Sequence, residues 1–153
     1  MRSATARTAI DRFFTSDAYA VVGVSANRRK FGNAAYQTLK EKEFVVFPVH
    51  PHLSSVENDA CYASVLELPG EVKSIVTVVP PPETLKVVEQ CAAKGITAIW
   101  MQQGSQSPEA IARAQGLGMT VVHGECIMMF LEPVKSVHAL HRFIKKLVGA
   151  YPS

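Results

Sequence analysis

At 153 residues, 48% hydrophobic and 19% charged, the chain is long enough to bury a core and too apolar to be disordered. A net charge of +3, with cations clustered only at Arg28-Arg29-Lys30 and Lys145-Lys146 and no aromatic platform beside them, argues against nucleic acid as a partner. No apolar run reaches the roughly 20 residues of a membrane span and Met1–Arg7 lacks a leader's apolar stretch, so a cytoplasmic single domain over residues 1–153 with no membrane partner is expected.

The elements alternate along the chain. Thr5 to Phe14 reads as a short helix with Ala9, Ile10, Phe13 and Phe14 on one face. Tyr19 to Val24 is a continuous apolar strand, and helical composition runs from Asn33 to Glu43. Phe44 to Val49 is a second strand, rich in β-branched and aromatic residues. Ser64 to Leu68 reads as one helical turn closed by Pro69-Gly70. Ser74 to Val79 is a third strand, stopped by Pro80-Pro81-Pro82. Glu83 to Lys94 is a helix with Leu85, Val88 and Cys91 or Ala92 inward and Gly95 as its C-cap.

Ala98 to Met101 is a fourth strand. Ser107, Pro108 and Glu109 spell an N-cap, an N1 proline and an acidic first turn for a helix to about Gln115. Met119 to Val122 is a fifth strand, and Val134 to Val148 a final amphipathic helix. Strands that are uniformly apolar are buried on both faces. The expected fold is therefore α/β: a Rossmann-like, doubly wound, five-stranded parallel sheet with helices on both faces and an extra C-terminal helix.

Ligands of such sheets bind beyond the carboxyl ends of the strands, where the strand order reverses. After the first strand stand Gly23, Ser25, Arg28, Arg29, Lys30 and Gly32. Glycine lets backbone approach a ligand, a helix N-terminus favours an anion, and arginine pairs with phosphate through two N–H groups. This reads as a phosphate loop ahead of a merely basic surface loop. It departs from GxGxxG, because Ser25 takes the second glycine's place and the loop is longer. After the second strand comes His50-Pro51-His52, where NAD-binding folds carry an acid for the ribose; the nearest acid here is Glu57. The missing acid points to a ligand with a phosphate on its ribose, such as coenzyme A or NADP. Exposed loop histidines are the plain alternative.

After the third strand, Val79 and Pro80 begin a stiff wall without N–H donors, fit for an adenine face. Gln103 and Gly104 follow the fourth strand and line either a channel or an ordinary polar loop. Cys126 follows the fifth, near His123 and Glu125. It is a candidate nucleophile or redox residue, although a buried, inert thiol is the simpler reading. Cys61, Cys91 and Cys126 fall in no metal-ligand spacing, so reduced thiols and no metal are expected.

In this order and spacing the chain resembles the stand-alone CoA-binding domain proteins, whose fold is similar to the N-terminal domain of the succinyl-CoA synthetase alpha subunit. The resemblance runs from about Arg12 to Cys126. It is carried by Ala20-Val21-Val22-Gly23-Val24-Ser25 with Gly32, by Val46-Phe47-Pro48-Val49-His50-Pro51, by Ser64-Val65-Leu66-Glu67-Leu68-Pro69, by Ile99-Trp100-Met101-Gln102-Gln103-Gly104, and by Cys126. It implies a coenzyme A site in which Gly23, Ser25, Lys30 and Gly32 meet the diphosphate or ribose phosphate. Pro48 and Val79-Pro80 would flank the adenosine. His50 stands where the family often has asparagine. The C-terminal helix lies beyond the resemblance and reads as an edge cover or a homodimer contact.

The synthetase's phosphohistidine and partner domain are not recognisable. The expected function is therefore cytosolic binding of coenzyme A or an acyl-CoA, as carrier, sensor or accessory protein, without catalysis of its own. The alternatives are an NADP- or NAD-binding redox sensor or reductase, and an interaction module working through its C-terminal helix.

Overall fold

Each central strand divides its side chains between two cores, as a strand's period of two requires. In the computed structural model, which describes residues 4–131, β1 (Ala18–Val22) sends Tyr19 and Val21 to one face and Ala18, Ala20 and Val22 to the other. β1 lies between β2 (Val45–Val49) and β5 (Val72–Thr77), and β6 (Ala98–Met101) and β7 (Thr120–His123) complete the order β2-β1-β5-β6-β7. Every neighbouring pair in this sheet is parallel. The expected Rossmann-like sheet is thus observed.

One core packs α1 (Ala4–Phe13), α2 (Phe31–Glu41) and α5 (Met128–Leu131) on Tyr19, Val21, Val76, Trp100 and Val122. Its centre is aromatic: the Phe13 and Trp100 rings meet at 5.3 Å, and both side chains are fully buried. The opposite core packs α3 (Pro81–Lys94), α4 (Pro108–Gly116) and the 3₁₀ turn Val65–Glu67 on Ala20, Ile75, Ile99 and Met101.

Boundaries shift where backbone groups find other partners. The Phe44 N–H closes α2 on the Leu39 carbonyl, so β2 starts one residue late. Likewise Met119 donates to the Ala114 carbonyl, and β7 begins at Thr120. Pro80 is the N-cap of α3 and Pro81 its N1 residue, so the helix starts two residues before Glu83 and the prolines build its first turn. Inside α3, Thr84, Val87, Val88 and Cys91 are buried, Leu85 is half-buried and Ala92 is exposed.

A small hairpin had no counterpart in the sequence reading: β3 (Ser55–Val56) and β4 (Asp59–Ala60), joined by Glu57 and Asn58 with φ of 52° and 69°. Two positive φ values in a two-residue loop give the twist that antiparallel strands need. The helix expected at Val134–Val148, with the homodimer contact read from it, lies outside the described residues. Among the described residues no helix is long and apolar enough to cross a membrane.

Candidate functional site: a cleft where the strand order reverses

From β1 the chain crosses by α2 to β2 on one side, and from β5 by α3 to β6 on the other. The two crossovers leave a crevice at the carboxyl ends of β1 and β5. A cleft of about 470 Å³ occupies it. Gly23 and Val24 lie on its floor, His50 and Pro51 on the β2 side, Ser64 and Val65 on the 3₁₀ turn, and Val79 and Pro80 after β5. The fourth wall is α3, through Glu83, Lys86, Val87 and Gln90. These four are spaced i, i+3, i+4, i+7 and so share one helix face.

Two glycines make the floor possible. A β-carbon on Gly23 (φ 120°) would lie 2.2 Å from the Val78 carbonyl oxygen, and one on Gly32 would lie 2.2 Å from the Gly23 carbonyl oxygen. The turn after β1 is therefore wedged between the end of β5 and the start of α2. Asn33, buried in the first turn of α2, holds the turn's shape. Its Oδ1 accepts the Ser25 N–H at 2.7 Å, and its Nδ2 donates to the Ser25 carbonyl at 2.8 Å.

The cationic stretch folds on itself. Ser25 Oγ accepts the Asn27 N–H at 3.0 Å, and Asn27 Oδ1 accepts the Arg29 N–H at 3.0 Å. Arg28 Nε lies 2.8 Å from Oε1 of Glu57, whose side chain is only 5% exposed. The other Glu57 oxygen accepts from Asn33 Nδ2 at 3.3 Å. The hairpin turn thus reaches back to brace the loop, and Arg28 faces a separate polar hollow with Gln37, Lys40 and Glu57. Arg28, Arg29, Lys30, Ser25 and Gly32 are not among the residues lining the cleft.

His50 has a defined tautomer. Its Nδ1 accepts the His52 N–H at 3.0 Å, so the neutral ring carries its proton on Nε2. Ser64 Oγ accepts the Leu66 N–H at 3.2 Å, which leaves its own proton to donate. Pro48 is buried and lines a smaller hollow of about 210 Å³ with Phe47, Tyr62 and Asp59.

The loops after β6 and β7 are tied to each other. Gln102 Oε1 accepts the Ile127 N–H at 3.0 Å, Gln103 Nε2 donates to the Gly124 carbonyl at 3.3 Å, and Trp100 Nε1 donates to the Glu125 carbonyl at 3.1 Å. These bonds position the loop that carries the half-buried Cys126. Gln103, Gly104 and Cys126 stand apart from the cleft lining.

Residues 17–132 match the model of the CoA binding domain family. The chain belongs to this family. It is 30% identical over 129 residues to the acetate–CoA ligase (ADP-forming) II alpha subunit of Pyrococcus furiosus, a match covering 77% of this chain and 28% of that protein. The chain therefore spans less than a third of the length of that relative. A conserved hypothetical protein from Pyrococcus furiosus superposes with a TM-score of 0.70 at 39% identity, over 72% of this chain and 96% of that one. A hypothetical protein from Pyrococcus horikoshii OT3 superposes at 0.78 with 27% identity, covering 87% and 96%.

For a CoA-binding domain the cleft's chemistry is simple. Val22, Val24, Val65, Val79 and Val87 give apolar walls, while His50, Ser64 and Lys86 offer N–H and O–H donors. Outside the cleft, burial pushes the Cys91 thiol up to about 12 and raises that of Cys61, so neither is a thiolate near neutrality. The sequence reading missed Asn33, Lys86 and Gln90. The signal for the last two lay in their spacing from Glu83 along α3. Asn33 had no signal beyond a polar residue in a helix's first turn.

Proposed function

We propose that this chain binds coenzyme A, or an acyl thioester of it, in the cleft between the ends of β1 and β5. The observation that carries this reading is the cleft itself: it sits at the switch point of a CoA-binding domain, and no acid follows β2 to repel a ribose phosphate. The adenosine lies between the Val79-Pro80 wall and α3, with its ribose toward His50. Gly23 lets the diphosphate approach the backbone, while Gly32, Ser25 and Asn33 shape that turn from behind. The pantetheine arm runs toward the loops after β6 and β7, where Gln103, Gly104 and Cys126 stand. The relative's name, an acetate–CoA ligase subunit, suggests that the bound thiol or thioester is presented to chemistry performed by other parts of an assembly. This chain's own contribution is to hold the cofactor.

Calorimetric titration of the purified protein with coenzyme A, dephospho-coenzyme A, NADP and NAD at fixed salt tests the reading. Tight binding of coenzyme A, with the nicotinamide cofactors bound weakly or not at all, supports it. A preference for NADP or NAD overturns it.

A further inference from the structure

We infer that Lys86, on α3, is the residue that reads the ribose phosphate in this cleft, and that the Arg28-Arg29-Lys30 run is not. The inference rests on the coenzyme A reading and deepens it by assigning the specificity-determining charge.

A phosphate monoester needs a positive charge and several donors at close range. The cation run directly after β1 is the obvious source. The structure withholds it. Arg28 is paired at 2.8 Å with the nearly buried Glu57 and turned to the hairpin side of the loop. Arg29 and Lys30 also stand outside the cleft lining. Among the described residues that line the cleft, Lys86 alone is a lysine or arginine.

Lys86 is placed to act. Its Nζ lies 3.3 Å from Oε1 of Glu83, one turn earlier on the same cleft-facing stripe. An ammonium has three N–H donors, so this contact leaves two for a ligand. Both partners are more than half exposed, at 71% and 52%, and such pairs are weakly held. A phosphate therefore competes with Glu83 on favourable terms, whereas Arg28, although its own side chain is exposed, is held through Nε to Glu57 on the hairpin side of the loop, outside the cleft lining. The cleft lining also contributes two neutral donors, the His50 Nε2–H fixed by the His52 contact and the Ser64 hydroxyl proton. The lining thus carries one cation and one carboxylate, Lys86 and Glu83, with His50, Ser64 and Gln90 as neutral donors, and a phosphate monoester is the part of the ligand whose charge can draw the ammonium away from Glu83.

The test is calorimetric titration of the full chain with coenzyme A and dephospho-coenzyme A, which differ only in the ribose phosphate. Wild type, K86Q, K86R and R28Q are compared. Lys86 is exposed, so unchanged thermal unfolding of its variants is the expected control. Wild type should prefer coenzyme A by about tenfold or more, the scale of a charge-assisted contact. K86Q should abolish that preference by weakening coenzyme A alone, and K86R should retain most of it. R28Q should leave the preference intact. A preference that survives K86Q, or disappears in R28Q, overturns the assignment. Equal wild-type affinity for the two ligands also overturns it, yet leaves the coenzyme A reading standing. A wild type that binds neither overturns both.

Discussion

Gly32 packs so closely on Gly23 that a β-carbon at position 32 would sit 2.2 Å from the Gly23 carbonyl oxygen. That oxygen belongs to backbone, which is itself pinned against Val78 and cannot retreat. The contact joins the start of α2 to the floor of the cleft. Its energetic content is steric exclusion: only a residue without a β-carbon allows the helix to approach. Gly32→Ala should cost about 3 kcal/mol, the upper end for overpacking a filled site. Gly70→Ala, where nothing lies within 4 Å, should stay within about 0.5 kcal/mol. Urea unfolding of both variants checks the contrast, and equal stability would mean that the helix can move.

Asn33 offers a second test of the same turn. Its amide satisfies both the N–H and the carbonyl of Ser25 and also touches Glu57. Asn33→Ala removes the partner of both Ser25 backbone groups and should destabilise by about 2 kcal/mol. Asn33→Asp should cost more, since a carboxylate keeps the acceptor for the Ser25 N–H but faces the Ser25 carbonyl and the Glu57 carboxylate with an oxygen. Urea midpoints that rank Asp above Ala would contradict this account of the turn.

Much of the fold was legible because the strands are largely apolar and turn or cap residues such as Gly23, Pro80 and Ser107 stand between them and the helices. The Ser107-Pro108-Glu109 start of α4 reads directly, since an N-cap is a local interaction: Ser107 Oγ accepts the Ala110 N–H at 3.0 Å. The hairpin at Glu57 was not legible. Its two-residue strands show no alternation, and glutamate is an unusual residue for positive φ. Of the candidate site residues, Gly23, His50, Val79 and Pro80 come together at one cleft. The direction of Arg28 was not legible, because it depends on Glu57, 29 positions later, and that Lys86 lines the cleft follows only from the packing of α3.

The cysteines differ in access. Cys91 is fully buried under α3, and burial alone lifts its thiol to about 12. Cys61 and Cys126 are half-buried. Iodoacetamide at about pH 8, the lower edge of the free thiol's titration, should leave Cys91 unmodified in the native protein and label it only after denaturation. Peptide mass spectrometry reads the positions directly. Labelling of Cys91 as fast as the other two would mean that α3 opens readily from the sheet.

Asp59 joins the hairpin to α2 and makes that contact sensitive to pH in both directions. Its Oδ2 accepts from Lys40 Nζ and from the Tyr36 hydroxyl, each at 2.5 Å. The Lys40 hydrogen bond first, and then that of Tyr36, holds the Asp59 carboxyl below its ordinary range. A group that is more acidic in the folded state stabilises fully above its unfolded value, about 4 for aspartate, and loses that contribution as pH falls through the folded value. Tyr36 has the opposite sign. Burial, then the hydrogen bond to Asp59, raises its hydroxyl well above the usual phenol range. Its contribution is full below the unfolded value of about 10 and is lost as pH rises beyond it. The contribution of this contact should therefore be flat between these two values and fall on either side. Asp59→Asn should make the acid limb shallower, and Tyr36→Phe should remove much of the alkaline limb. Urea midpoints collected across the range decide it: an acid limb of unchanged slope in Asp59→Asn would show that other carboxylates govern the acid response.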